Sequence, residues 1–474
     1  MNRHAFFILF LLMISLTARA AKIEGRHEAY AGKKLTFFRY SDPITQNNIP
    51  VFTIEFDKEG RFVAEIETGE TTFVFTDFGI YRGMLFIGSG QHIRLKLPPF
   101  REKSFADRKN PYFKPVEFWF TTHDGNHLND QIAAFDTQLN QLTDRFFDQL
   151  YFNQSKSIFD TIVVNIEKQF GDVSNPAFVW HKKLKIKSVE TDAFRLEPAR
   201  VIPVFSGLEI ARWNDPAFIE LFDKVFTNQL GFEARTTQGN TVKQAVIRRD
   251  IAFLKSWASQ KYNVEESAAG LVILKLLHDA FYTGDFSRND ILTLVASPAL
   301  QQHQNSTIRE IAKNVKEKLE HLKPGSKAPV ICLKDTNGHR VCTDEAPGSE
   351  EQKFKYLIFA DTEMVVCQEH LKYLTRTQEQ FASHLEIVVV LRKTDLIEMK
   401  IFLEVEKIPG IHLVDENGEY TEKYRVKSFP ASFLLTAEHE VVFQQTKTPL
   451  DGFEQQFGPY LRQKLFERQK NQTQ

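Results

Sequence analysis

The chain has 474 residues, enough for about three domains. Its 60 Lys+Arg stand against 61 Asp+Glu for a formal net charge of −1, which excludes the basic stripe of a general nucleic-acid binder and an acidic solvating tail. Hydrophobic residues at 42% and charged residues at 26% fit a globular protein; the 43 Phe promise aromatic cores, and the three Cys are too few for a disulfide scaffold or a four-Cys zinc site.

Residues 1–20 predict a secretory leader. Arg3 and His4 make a weakly basic start, Ala5 to Leu16 a largely apolar run, and Ala18-Arg19-Ala20 an A-x-A cleavage signal. The run is shorter than the roughly 20 apolar residues that span a bilayer, and no later segment is expected to cross one. No Cys follows the cleavage point, so no lipid anchor is expected. The mature chain is expected to begin at Ala21 and to work in the periplasm or cell envelope.

Residues 21–122 predict a small β-sandwich. Leu35 to Tyr40, Val51 to Phe56, Arg61 to Ile66, Phe73 to Phe75, Met84 to Ile87 and His92 to Leu97 are β-branched and aromatic, several with apolar–polar alternation. Pro98-Pro99 closes the series, because proline cannot donate to a ladder. Asp57 and Glu59 beside Gly60 raise calcium, but the loop lacks the ligand count of such a site and predicts a plain turn.

Residues 123–322 predict an all-α region. Ile132, Phe135, Leu139, Leu142, Phe146 and Leu150 recur at steps of three and four, which predicts one helical stripe. Phe159, Ile162, Val163, Ile166 and Phe170 make another, and Leu271, Leu274, Leu277 and Phe281 a third. Asn175-Pro176 and Asp215-Pro216 predict breaks between helices. Thr307-Ile308-Arg309-Glu310 predicts a capping box at the start of a last helix. No repeat period points to a solenoid. His123 and His127 could share a helix face, but without a carboxylate motif they predict two solvated histidines.

Lys323-Pro324-Gly325 marks the next boundary, and residues 323–474 alternate strands and helices. Lys355 to Ala360 and Ile387 to Leu391 predict buried strands around a helical pattern from Val365 to Phe381, a β-α-β unit with a parallel pair. Ile411 to Val414, Ser432 to Leu435 and Val441 to Phe443 complete a sheet.

The pieces of this last region resemble a known family. Gly325-Ser326-Lys327-Ala328-Pro329, the turn Asp335-Thr336-Asn337-Gly338, the strand Leu357-Ile358-Phe359-Ala360, Cys367-Gln368-Glu369 and the run Val426 to Leu435 are similar to thioredoxin-like domains of envelope thiol-disulfide oxidoreductases. The upstream regions resemble the β-sandwich and helical parts that precede such domains in Bacteroidetes-type envelope proteins. The resemblance implies a multidomain chain: a β-sandwich, an all-α region and a C-terminal α/β thioredoxin-like fold.

The resemblance sets the family's C-x-x-C against Met364-Val365-Val366-Cys367, with Glu363 where a Trp precedes the motif. Two-electron exchange needs an exposed thiolate and a second thiol to resolve the mixed disulfide, and a thioether has no proton to lose. This predicts a redox-inactive domain that serves as a binding or scaffold module for an envelope protein or peptide. The alternative is a thiol-dependent oxidoreductase or redox sensor using Cys367 alone; a further alternative is an activity or ligand in the helical region. Pro430 falls at the family's cis-proline, for docking or for structure, and the Phe429–Pro430 bond is expected to be cis. Met364, Val365 and Phe429 are expected to form an apolar docking patch. Cys332 and Cys342 flank one hairpin turn, either bridged or as separate thiols. No cofactor, metal cluster or phosphate-cradling loop is indicated.

Overall fold

The computed structural model describes residues 20–123, 127–205, 212–236, 239–344, 353–443 and 445–472. The leader expected over residues 1–20 lies, but for Ala20, outside the described residues. No helix among the described residues is long and apolar enough to cross a membrane. The chain forms several sheets and many helices in two compact units, one holding Lys114–Leu319 and the residues up to Lys103, the other Ser104–Phe113 and the residues from Glu320.

In the first unit, alternation writes the strands: β1 (Ala21–Arg26), β2 (Lys34–Tyr40), β3 (Asn48–Glu55), β4 (Arg61–Ile66), β5 (Thr72–Phe78), β6 (Tyr81–Ile87), β7 (His92–Lys96), β8 (Val116–Trp119) and β9 (Thr121–Thr122). They form two sheets, ordered β4-β1-β7-β9 and β3-β2-β5-β6-β8. Ile93 and Leu95 of β7 are buried while His92, Arg94 and Lys96 face solvent, as a period of two requires. Ile23, Phe62 and Ile93 from one sheet share a core with Phe37, Val74 and Leu85 from the other. Successive residues of β5 point to opposite faces, so Phe73 and Phe75 leave that core and join Ile132, Phe135 and Leu139 of the helix Leu128–Arg145. The Phe86 and Trp119 rings stack there at 5.4 Å.

The turn after β3 is a plain one. Asp57 accepts the amide N–H groups of Glu59 and Arg61, and Gly60 has φ +72°, where a Cβ would meet the His27 carbonyl oxygen at 2.3 Å.

The helical breaks fall at Asn175 and Asp215. Each side chain accepts the N–H two residues on, and Pro176 and Pro216 sit in the first turns, where a missing N–H costs nothing. The stripe from Ile132 to Leu150 packs into one core, carried by Leu128–Arg145 as far as Leu142 and, for Leu150, by the turn Asp148–Phe152. Two expectations are corrected. Thr307 does not cap the last helix; Asn305 does, its Oδ1 accepting the N–H groups of Thr307 and Ile308. His127 is not simply solvated: its Nδ1 accepts the Asn129 N–H at a helix start, and burial pushes its pKa down, which favours the neutral ring.

The second unit contains one sheet: β10 (Cys332–Asp335), β11 (Arg340–Cys342), β12 (Phe354–Ala360), β13 (Leu385–Arg392), β14 (Ile411–Asp415) and β15 (Ala431–Leu435), ordered β11-β10-β14-β13-β12-β15. β12, β13 and β14 run parallel; β15 pairs antiparallel with β12. The helices Val365–Lys372 and Leu374–Phe381 connect β12 to β13, and Leu396–Val405 connects β13 to β14. All seven residues of β12 are buried, the mark of a strand covered on both faces. Phe354, Tyr356, Ile358 and Ala360 pack with Cys367, Leu371 and Phe457. Leu357 and Phe359 pack on the other face with Leu413, Tyr420 and Tyr424.

Candidate functional site

The candidate site lies where β12 ends. Asp361, fully buried, turns the chain: its Oδ1 accepts the Glu363 N–H at 3.0 Å and its carbonyl oxygen the Met364 N–H at 3.0 Å. Met364 is thereby held in extended conformation, φ −99° and ψ 119°, as the residue before the helix Val365–Lys372. Its carbonyl oxygen accepts the Gln368 N–H at 3.0 Å, the first helical bond. Gln368 Nε2 in turn donates to the Thr362 carbonyl at 2.7 Å.

Within this turn of helix the environments diverge sharply. Val365 is 71% exposed and Cys367 not at all. Burial pushes the Cys367 thiol up to about 11, and the Asp361 carboxylate adds to the rise; the Asp361 backbone and the Lys109 cation act the other way. At neutral pH the sulfur is a protonated thiol, a poor nucleophile and a poor metal ligand.

The buried Asp361 carboxylate needs compensating charge. It comes from a strap, Ser104–Phe113, which lies in this unit although both its flanks in sequence belong to the other. Ser104 and Asp107 make a reciprocal capping box that starts the short helix Phe105–Lys109. Lys109 Nζ sits 2.6 Å from Asp361 Oδ2 and 2.5 Å from Glu363 Oε2. Arg392, the last residue of β13, adds a second cation 3.5 Å from Asp361 Oδ2 and donates to the Arg108 carbonyl of the strap at 3.4 Å. Its guanidinium lies 5.8 Å from the Phe429 ring centroid.

The Phe429–Pro430 bond is cis. Phe429 and Met364, both half-buried, pack against the core that contains Cys367. Beside them a cleft of about 430 Å³ is lined by Arg108, Lys109, Arg392, Lys393, Lys427 and Phe429, among others. Cys332 and Cys342 are directly opposite in the β10–β11 register, with Cα atoms 4.1 Å apart and their sulfurs bonded. That hairpin is at the sheet edge away from β12 and β15, so the structure brings together Met364, Cys367, Phe429 and Pro430 but not these two cysteines.

No family model matches the chain. The thiol-disulfide oxidoreductase ResA of Bacillus subtilis is 28% identical over 130 residues, 27% of this chain and 70% of that protein. About a quarter of the chain thus matches thioredoxin-like thiol-disulfide oxidoreductases. Bacteroidetes proteins are among them. The thioredoxin domain of a thiol-disulfide oxidoreductase from Bacteroides vulgatus is 22% identical with a TM-score of 0.25, covering 28% of this chain and 95% of that one. A thiol-disulfide oxidoreductase from Bacteroides fragilis is 13% identical with a TM-score of 0.25, covering 28% and 99%.

In the thioredoxin-like part, sequence reasoning named Met364, Val365, Cys367, Phe429 and Pro430 but missed Asp361, Lys109 and Arg392. Ser104-x-x-Asp107 is a sequence signal for the strap's helix. Nothing local announces that Lys109 pairs with a carboxylate 252 positions later.

Proposed function

We propose that the chain is an exported envelope protein of three parts, a β-sandwich over 21–122, a helical region over 123–322 and a thioredoxin-like region over 323–474. The last has lost dithiol exchange and binds a protein or peptide at Met364, Val365, Phe429 and Pro430. The observation that carries this reading is the state of the helix start: a thioether at Met364 and a fully buried Cys367 whose thiol is pushed up to about 11. Exchange needs an accessible thiolate and a resolving partner, and Cys332 and Cys342 are committed to each other. The same observation weighs against Cys367 acting as a lone redox thiol. In an insulin-precipitation assay the protein should turn over no faster than its Cys367→Ala variant; turnover clearly above that control would overturn the reading. Met364→Cys tests the register. It places a second thiol three residues before Cys367, where helix neighbours meet, and should yield a dithiothreitol-reducible 364–367 bridge under mild oxidant.

A second reading is favoured by one feature of the first unit. A cavity of about 860 Å³ is lined by Arg39, Phe73, Phe86, Asn214, Asp215 and Glu310, among others, a mixture of aromatic and polar groups suited to a small polar ligand. Native mass spectrometry would support it by finding a bound small molecule that an Arg39→Ala variant loses.

A further inference from the structure

The helix Leu396–Val405 is apolar on both faces. Met399 and Leu403 are buried against the sheet. On the outer face Ile397 is 71%, Ile401 55% and Val405 71% exposed, a stripe with a step of four, and Leu396 is 48% exposed beside it. An apolar stripe on the solvent side of a helix is a contiguous exposed patch, and such patches mark interaction sites.

The stripe continues toward the candidate site. The helix Val365–Lys372 lies alongside: Thr362 and Thr394 hydroxyls meet at 3.2 Å before the two helices begin, and Lys372 and Glu406 meet at 3.6 Å near their ends. The exposed Val365 and Val366 therefore stand at the same end as Leu396 and Ile397.

Charge identifies the occupant. Glu398 and Glu404 are exposed, three residues before and three after Ile401, so they flank the stripe on its two sides. Neither makes an ion pair among the described residues. A second copy of this chain fits badly. A two-fold axis through Ile401 with antiparallel helices would gather four exposed carboxylates, Glu398 and Glu404 of each copy, around one apolar contact against only the two Lys400 ammonium groups, and an excess of like charge across an interface opposes it. An apolar stripe with cationic flanks satisfies both features at once.

We propose that the outer face of Leu396–Val405, with Val365 and Val366, is the docking surface for an amphipathic helix of a partner protein whose apolar stripe is flanked by Lys or Arg. The proposal rests on the binding-module reading and names its partner class. The test is fluorescence anisotropy of two labelled synthetic helical peptides against the full chain. Both carry the same leucine stripe; one is flanked by Lys, the other by Glu. The Lys-flanked peptide should bind about tenfold tighter at low salt, Ile401→Asp should abolish its binding, and Glu398→Lys with Glu404→Lys should reverse the preference. Ile401 is exposed, and circular dichroism checks that the variants remain folded. Equal affinities, binding indifferent to Ile401→Asp, or no binding of either peptide overturns the proposal. So does self-association in sedimentation velocity that Ile401→Asp removes, which would make the occupant a second copy. None of these outcomes alters the insulin assay, so the two readings fail separately.

Discussion

Replacing Lys109 by Met asks what holds the strap to the end of the sheet. Methionine keeps the apolar stem and removes the cation. Asp361 then stays buried with Arg392, 3.5 Å away, as its remaining cation and the Glu363 N–H as a neutral donor. Removing one partner of a buried pair costs about 3–5 kcal/mol, and the retained Arg392 puts this case at the lower end, about 3 kcal/mol. Adding Asp361→Asn to the same chain should recover all but about 1 kcal/mol, because the stranded charge is then gone as well. The readout needs care, since Trp119, Trp180, Trp213 and Trp257 all belong to the first unit and tryptophan fluorescence does not report on the second. Urea unfolding by far-UV circular dichroism, with hydrogen-exchange mass spectrometry on peptides covering 104–113 and 354–361, separates the two. Loss of Lys109 should speed exchange in both peptides. Unchanged exchange there, or a double variant no more stable than Lys109→Met, refutes the account. Cys367 offers a cross-check. Lys109 holds that thiol's pKa down, so its loss makes the sulfur intrinsically less reactive; faster labelling in the variant would report that the strap has lifted.

In the parent, Cys367 should react slowly with thiol reagents at neutral pH and fast once unfolded. Its thiol rises from an ordinary 9.0 to about 11 in the fold, so its contribution to stability is complete below about pH 9 and is lost as pH climbs toward 11. Alkaline titration of unfolding should show this decline, and Cys367→Ala should flatten it. For the cysteines of the β10–β11 hairpin, we expect the purified protein to weigh two hydrogens less than its reduced form. Cys342→Ser should cost about 3 kcal/mol, the chain-entropy value for so short a loop.

The strands were legible where burial is one-sided or complete. His92 to Lys96 alternates because one face meets a core, and Phe354 to Ala360 is apolar because both faces do; Lys355 escapes that rule by donating from its buried ammonium to the Thr343 carbonyl. Helix starts at Pro176 and Pro216 were legible because proline with a preceding Asn or Asp is local chemistry. The last helix was misread because two caps compete within three residues and only the fold decides that Asn305, not Thr307, faces the free N–H groups. The candidate site was half legible. Met364, Cys367, Phe429 and Pro430 lie in recognisable segments, whereas the Asp361–Lys109–Arg392 cluster draws on three remote stretches whose pairing no local pattern encodes.

The strap makes the second unit discontinuous in sequence. Its cation is synthesised about 250 residues before the carboxylate it neutralises, so on the ribosome residues 114–319 of the other unit are made between the two. A fragment cut at residue 323 would hold every strand of the second sheet and yet carry a buried carboxylate with an incomplete counter-charge. Supply of a 104–113 peptide in trans is the way to obtain that unit intact, because a piece begun at 104 would drag along residues 114–319 without the strands β1–β7 of their own unit.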